Sequence, residues 1–268
     1  MVSRAEINQI RGAVTRASSL AVNDLTIFFN SLNWDNPVAC REALVEFLPR
    51  LVAVYGDTAG VAAAEWYERV RRDELGKHFY ATTTEAITPE QVRQNVRYAS
   101  GSLFEENPAR ALSILRGAVD RHIQTAAQSV VAHNSVRDPR SSGWARVPSG
   151  TSTCAFCAML ASRGFKYTTE FEAQHRGRGA TENKFHDHCR CQVVPAWKGR
   201  QAAVDGYDPA ELKRRYDESR KLTRDLGGDP NDPRMLLATM RRLFPHDYTD
   251  GVSRRGPARV RSAPCWRL

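Results

Sequence analysis

The 268-residue chain contains no run of eighteen apolar residues, which excludes a membrane-spanning helix of ordinary hydropathy. Its first residues, MVSRAEINQI, lack the basic-then-apolar layout of a secretory signal, so synthesis and folding in a reducing cytoplasm are expected. Six cysteines are too few for a disulfide-dense scaffold of this size. No G-x-S-x-G, H-E-x-x-H or P-loop pattern occurs, so no catalytic motif is recognised and an enzyme is not expected. Internal repeats are absent as well. What remains is an ordinary globular composition, 41% hydrophobic and 26% charged, long enough for one large or two small cores.

The chain reads as mainly α. Apolar residues Ile7, Ile10, Val14, Leu20, Val22, Leu25, Phe28 and Phe29 recur at helical spacing and predict a first long helix over 4–30. Asn36-Pro37, Thr88-Pro89 and Asn107-Pro108 each place a capping side chain before a proline at the first helical position. Gly56-Asp57 predicts the end of the second helix and the start of another. The segment from Pro108 to about Val136 carries one stripe, Leu112, Leu115, Val119, Ile123, Ala126, Val130 and Val131. Residues 1–136 are therefore expected to form a helical bundle with no visible chemistry.

At RDPRSSGWARVPSG, residues 137–150, the composition turns to Pro, Gly and Ser and predicts a domain boundary or long loop. A short α+β module is expected to 197, with strands near Trp144–Val147 and Cys191–Pro195. Asp208-Pro209 and Asp232-Pro233 then open two more helices in an extension over 198–268 that ends in a flexible basic tail. Residues 196–268 hold sixteen Lys and Arg against ten Asp and Glu. The closing GVSRRGPARVRSAPCWRL carries Arg254, Arg255, Arg259, Arg261 and Arg267 and no acid, the composition of an arm for a polyanion such as nucleic acid.

The chemistry is concentrated in the middle. Cys154 and Cys157 form a C-x2-C pair, followed after 28 residues by His186-Asp187-His188-Cys189-Arg190-Cys191. A C-x2-C turn delivers two thiolates from one loop, and a second pair from a distant loop closes a tetrahedral zinc site that staples a small module. His186, Cys189 and Cys191 compete for the two remaining places, and spacing does not choose among them. Closed Cys and His ligation predicts a structural zinc rather than a catalytic one, which would keep a position open for water. Cys40 and Cys265 lie far from the cluster and are expected to be bystanders.

The stretches WARVPSGTSTCAFCAMLASRGFKY and FHDHCRCQVVP resemble the phage Mu F-like minor head proteins, also called phage head morphogenesis proteins, and most closely their actinobacterial-phage branch. That resemblance covers about residues 144–197. It implies a minor capsid component of the virion, made in the host cytoplasm, that associates with the portal protein, the major capsid protein or the capsid interior and contributes to head assembly or DNA delivery; packaged double-stranded DNA is then the expected partner of the basic tail. It places the zinc ligands at Cys154, Cys157, His186 and one or both of Cys189 and Cys191. Trp144, Arg146, Arg163 and Arg190 become framework or contact residues. The alternative is a metal-dependent nuclease acting on DNA, in which His186 or His188 activates water and Asp187 orients it.

Overall fold

The computed structural model describes residues 1–105, 107–148, 153–169 and 191–250. Four long helices build most of it: α1 (Arg4–Asn30), α2 (Pro37–Leu75), α3 (Pro89–Phe104) and α4 (Pro108–Arg137). Their starts are set locally. Ser3 accepts the Glu6 N–H while the Glu6 carboxylate accepts the Ser3 N–H, and Thr88 and Gln91 repeat the same box for α3. Asn36 and Asn107 cap α2 and α4 ahead of their prolines, where a missing N–H costs nothing.

One expectation fails in this region. Gly56 does not end a helix; α2 runs unbroken for 39 residues. Gly56 and Gly60 are buried against α4, where a Cβ at each would stand 3.6 Å from Ala126 and 3.5 Å from Val130. Glycine disfavours a helix by about 1 kcal/mol, and the packing of α2 on α4 outweighs that local preference. The local signal for a break is real, but tertiary contact overrides it.

After α4 the chain enters β1 (Ser141–Pro148), a short helix α5 (Ala155–Ala161) and β2 (Cys191–Trp197). The strands pair antiparallel, Trp144 opposite Pro195 and Pro148 opposite Cys191, with an irregularity between Ser141 and Gly143. Trp144, Ala145, Val147, Val193, Val194 and Trp197 belong to the same apolar cluster as the helices, so the core runs without interruption past residue 136. Tyr67 of α2 meets the Trp197 ring edge-on at 5.4 Å.

The passage from α4 to β1 is held by a buried ion pair. Arg71 Nε lies 2.7 Å from Asp138 Oδ2, and neither side chain is more than 6% exposed. Arg71 also donates to the carbonyls of Lys77 and His78, and Asp138 accepts the Arg140 N–H. Tyr67 completes the group with a hydroxyl 3.4 Å from Asp138. Burial, followed by the Asp138 charge, pushes the Tyr67 phenol far above its ordinary range.

The last two described helices are α6 (Pro209–Asp225) and α7 (Pro233–Leu243), each opened by an aspartate cap and a proline. They form a second cluster with α5, in which Phe156 and Leu160 meet Leu236, Leu237, Met240 and Tyr248. The mainly α reading therefore holds, with one small two-stranded sheet among the described residues. No described helix is long and apolar enough to cross a membrane.

Candidate metal centre

Three of the five sequence-predicted ligands fall in described residues, and the fold brings them together. Cys154 is the N-cap of α5 and its Sγ accepts the Cys157 N–H at 3.2 Å. Cys157, on α5, is buried, and its sulfur stands 3.5 Å from that of Cys191 at the start of β2. Cys154 packs against this pair. All three are thiols rather than disulfides. The edge of a tetrahedron with Zn–S bonds of roughly 2.3 Å is about 3.8 Å, so the Cys157–Cys191 spacing suits two ligands of one ion.

The described residues alone do not complete a site: among them, no group of three or more Cys, His, Asp and Glu side chains stands at metal-holding spacing. His186 and Cys189 lie outside the described residues, as do His188, Asp187 and Arg190. Arg254, Arg255, Arg259, Arg261 and Arg267 of the expected polyanion arm lie outside them too, with Cys265. Cys40 is buried within the bundle and donates to the Asn33 carbonyl, well away from the cluster. Burial raises its thiol above the ordinary range.

The donor set fits zinc chemically, since it offers soft sulfur from two segments 34 residues apart. Cys191 is fixed with particular firmness. Its carbonyl accepts from Gln128 Nε2 at 3.3 Å, and the next N–H but one, that of Val193, donates to Gln128 Oε1 at 2.6 Å. Gln128 also reaches Gln192 Oε1 at 2.9 Å. From β1, Arg146 donates to the Cys191 sulfur through Nε at 3.3 Å and Nη2 at 2.9 Å. A cleft of about 440 Å³ between α1 and α4 includes Cys191 in its wall, which gives an approach to this end of the strand.

The C-x2-C turn is held from the C-terminal side. Asp250 accepts the Ala155 N–H at 2.9 Å, and the Thr249 N–H donates to the Thr153 carbonyl at 3.0 Å. Burial alone would raise the Asp250 carboxyl, but the Arg241 guanidinium and the Ala155 N–H hold it below the usual carboxylate range. Of the framework residues named from resemblance, Trp144 stacks on Tyr167 at 4.9 Å and the Arg163 guanidinium lies 5.6 Å from the same ring.

Gln128, Gln192 and Asp250 carry no sequence signal of this role. Gln128 sits on α4 between Ala127 and Ser129 and is 2% exposed. A buried amide must find partners, but the sequence does not say where.

The sequence model of the VG15 protein family matches residues 1–219. The Gene 15 protein of Mycobacterium phage L5 is 27% identical, over 48% of this chain and 62% of the relative. The Gene 15 protein of Mycobacterium phage D29 is 30% identical, over 48% of this chain and 63% of the relative. The chain thus spans less than two thirds of the length of these curated relatives. No solved structure matches it. Because the family match runs through the whole bundle, all three described cluster cysteines and both strands, the chain belongs to the VG15 protein family, a family with bacteriophage relatives.

Proposed function

We propose that this chain is a minor capsid or head morphogenesis protein of a tailed bacteriophage, placed at the portal vertex or inner capsid, with one structural zinc at its centre. In this reading the four zinc ligands are drawn from Cys154, Cys157, Cys191, His186 and Cys189. The helical bundle is the docking body toward portal and major capsid protein. The arginines at 254, 255, 259, 261 and 267 contact packaged double-stranded DNA through phosphate, which needs cationic side chains and no fixed fold.

The observation that carries the reading is the meeting of Cys157 with Cys191 in a chain of a family with phage relatives. A motif that resembles a head-protein signature in sequence has its distant halves in contact in space. The zinc is structural in this reading because the sulfurs sit in the core, 1% and 4% exposed at Cys157 and Cys191. A catalytic ion would keep an open position for water instead.

Two measurements test it. Quantitative mass spectrometry of purified particles is expected to find the protein at a small fraction of the major capsid protein's copy number; its presence in lysate but absence from particles refutes the virion role. Metal analysis of the purified chain is expected to give about one zinc per chain, and a content well below that refutes the metal centre.

A further inference from the structure

We propose that the cleft between the loop after α5 and the first turns of α6 is a second contact surface for DNA, taking the phosphate backbone of a duplex; this rests on the reading above that packaged DNA is a partner. The cleft measures about 670 Å³, and every charged side chain among the described residues lining it is a cation: Arg163, Lys166 and Lys213. All three are exposed. They come from two segments some fifty residues apart, so the fold gathers them and no basic run in the sequence does. A surface of one sign attracts a polyanion, and a phosphate contact needs only a cation within reach. The arginines at 254, 255, 259, 261 and 267 carry the same charge with no acid among them, so two separate parts of one chain suit one polyanionic partner.

The walls that present these cations are tied down. Tyr207 donates to the Ala161 carbonyl at 2.5 Å, and its ring meets Phe165 edge-on at 6.0 Å. Tyr167 donates to the Leu160 carbonyl at 2.7 Å and pairs its backbone with Trp144. Lys166 therefore stands between two anchored neighbours, and the backbone that carries it has little order left to lose on binding. Gly164, at φ 64°, brings the loop so close to α6 that a Cβ there would stand 3.4 Å from the Pro209 side chain. The carboxylates near the mouth are engaged elsewhere. Asp208 caps α6, and Glu211 is held by Arg214 and Arg215. Lys213 pairs with Asp217, but both are more than half exposed, and a surface pair of that kind contributes little and yields to a phosphate.

The test follows binding of the full chain to a fluorescent DNA duplex by anisotropy across a salt series. Each phosphate contact removed lowers the slope of log affinity against log salt by about 1. Arg163→Gln, Lys166→Gln and Lys213→Gln together should lower it by about 3, and by the same amount for duplexes of different sequence. Lys166→Gln alone should lower it by about 1 and carries the test if the triple variant does not fold. A control removes the same charge at Arg50, Arg93 and Arg97, exposed on α2 and α3, and should leave the slope nearly unchanged. A slope unchanged in the cleft variants, or lowered as much in the control, overturns the proposal and leaves the tail as the DNA contact. Displacement of the duplex by polyglutamate as readily as by unlabelled duplex, at equal charge, marks an acidic-protein surface and overturns it too. A parent chain with no affinity for the duplex at low salt overturns the DNA reading itself, and this inference falls with it.

Discussion

Acidification should weaken this fold through one histidine of α4. His122 is 7% exposed and its Nε2 lies 2.9 Å from Asn95 Oδ1, an oxygen that also accepts from Arg121 at 2.7 Å. An acceptor there places an N–H on Nε2, and burial keeps a second proton off the ring. Burial, with the Arg121 charge second, pushes its pKa from the ordinary 6.5 down to about 4. The lowered value sets the sign. Below pH 6.5 the unfolded chain takes up a proton that the folded chain refuses until about pH 4, so this contribution is full above 6.5 and is lost as pH falls. At 1.36 kcal/mol per pH unit, the loss is about 2 kcal/mol between pH 7.5 and 5.0 and about 3 kcal/mol across the whole window. Urea unfolding of the parent and of His122→Gln at both pH values isolates it, because the other titrating groups are common to the two chains. The parent should lose about 2 kcal/mol more than the variant on acidification. Equal losses in the two chains would refute the assignment of a buried, neutral His122.

Further outcomes follow from the packing. Asp138→Asn leaves the Arg71 guanidinium buried opposite a neutral amide, and chemical denaturation should show a loss of about 3–5 kcal/mol; a loss under 1 kcal/mol would mean the pair contributes little. Gly56→Ala places a Cβ at ordinary contact distance from Ala126, so removing a glycine from the middle of α2 should stabilise by about 0.5–1 kcal/mol in a thermal or urea melt. Gly143→Ala should do the opposite, by about 1–3 kcal/mol. Its φ of 126° is a conformation that side chains rarely adopt, and a Cβ there would stand 2.7 Å from the Tyr167 carbonyl oxygen.

The helix starts were legible because they are local. A capping side chain, a proline and an apolar stripe lie within one turn or one face, and α1, α3, α4, α6 and α7 begin where those signals stand. The unbroken passage of α2 through Gly56 was not legible, because what decides it is α4, some seventy residues away. The strand expected near Trp144–Val147 is there as β1, but the Pro, Gly and Ser of residues 137–150 give no sign that five consecutive residues, Gly143 to Val147, are buried. α4 and α5 both pack on it, so the alternation of a half-exposed strand never appears in its sequence.

The cysteine spacing signalled that the two halves of the motif belong together, and Cys157 and Cys191 do meet. The residues that hold them were visible only unevenly. Arg146 was named through resemblance, without its target atom. Gln128 and Asp250 are single polar residues whose partners are 65 and 95 positions distant. A polar side chain announces that it needs a partner, and only the fold supplies the partner's address.

The short sheet has a further consequence, for association between chains. A two-stranded ribbon normally presents two open edges, each a template for a strand from another molecule. Here, on the side of β2 away from β1, the Gln128 side-chain amide takes the bonding positions of a peptide unit, receiving the Val193 N–H and donating to the Cys191 carbonyl. On β1, Trp144 exchanges both backbone hydrogen bonds with Tyr167. One glutamine and one residue of loop thus stand in for missing strands, so these positions cannot seed edge-to-edge aggregation when many copies of the chain are crowded together.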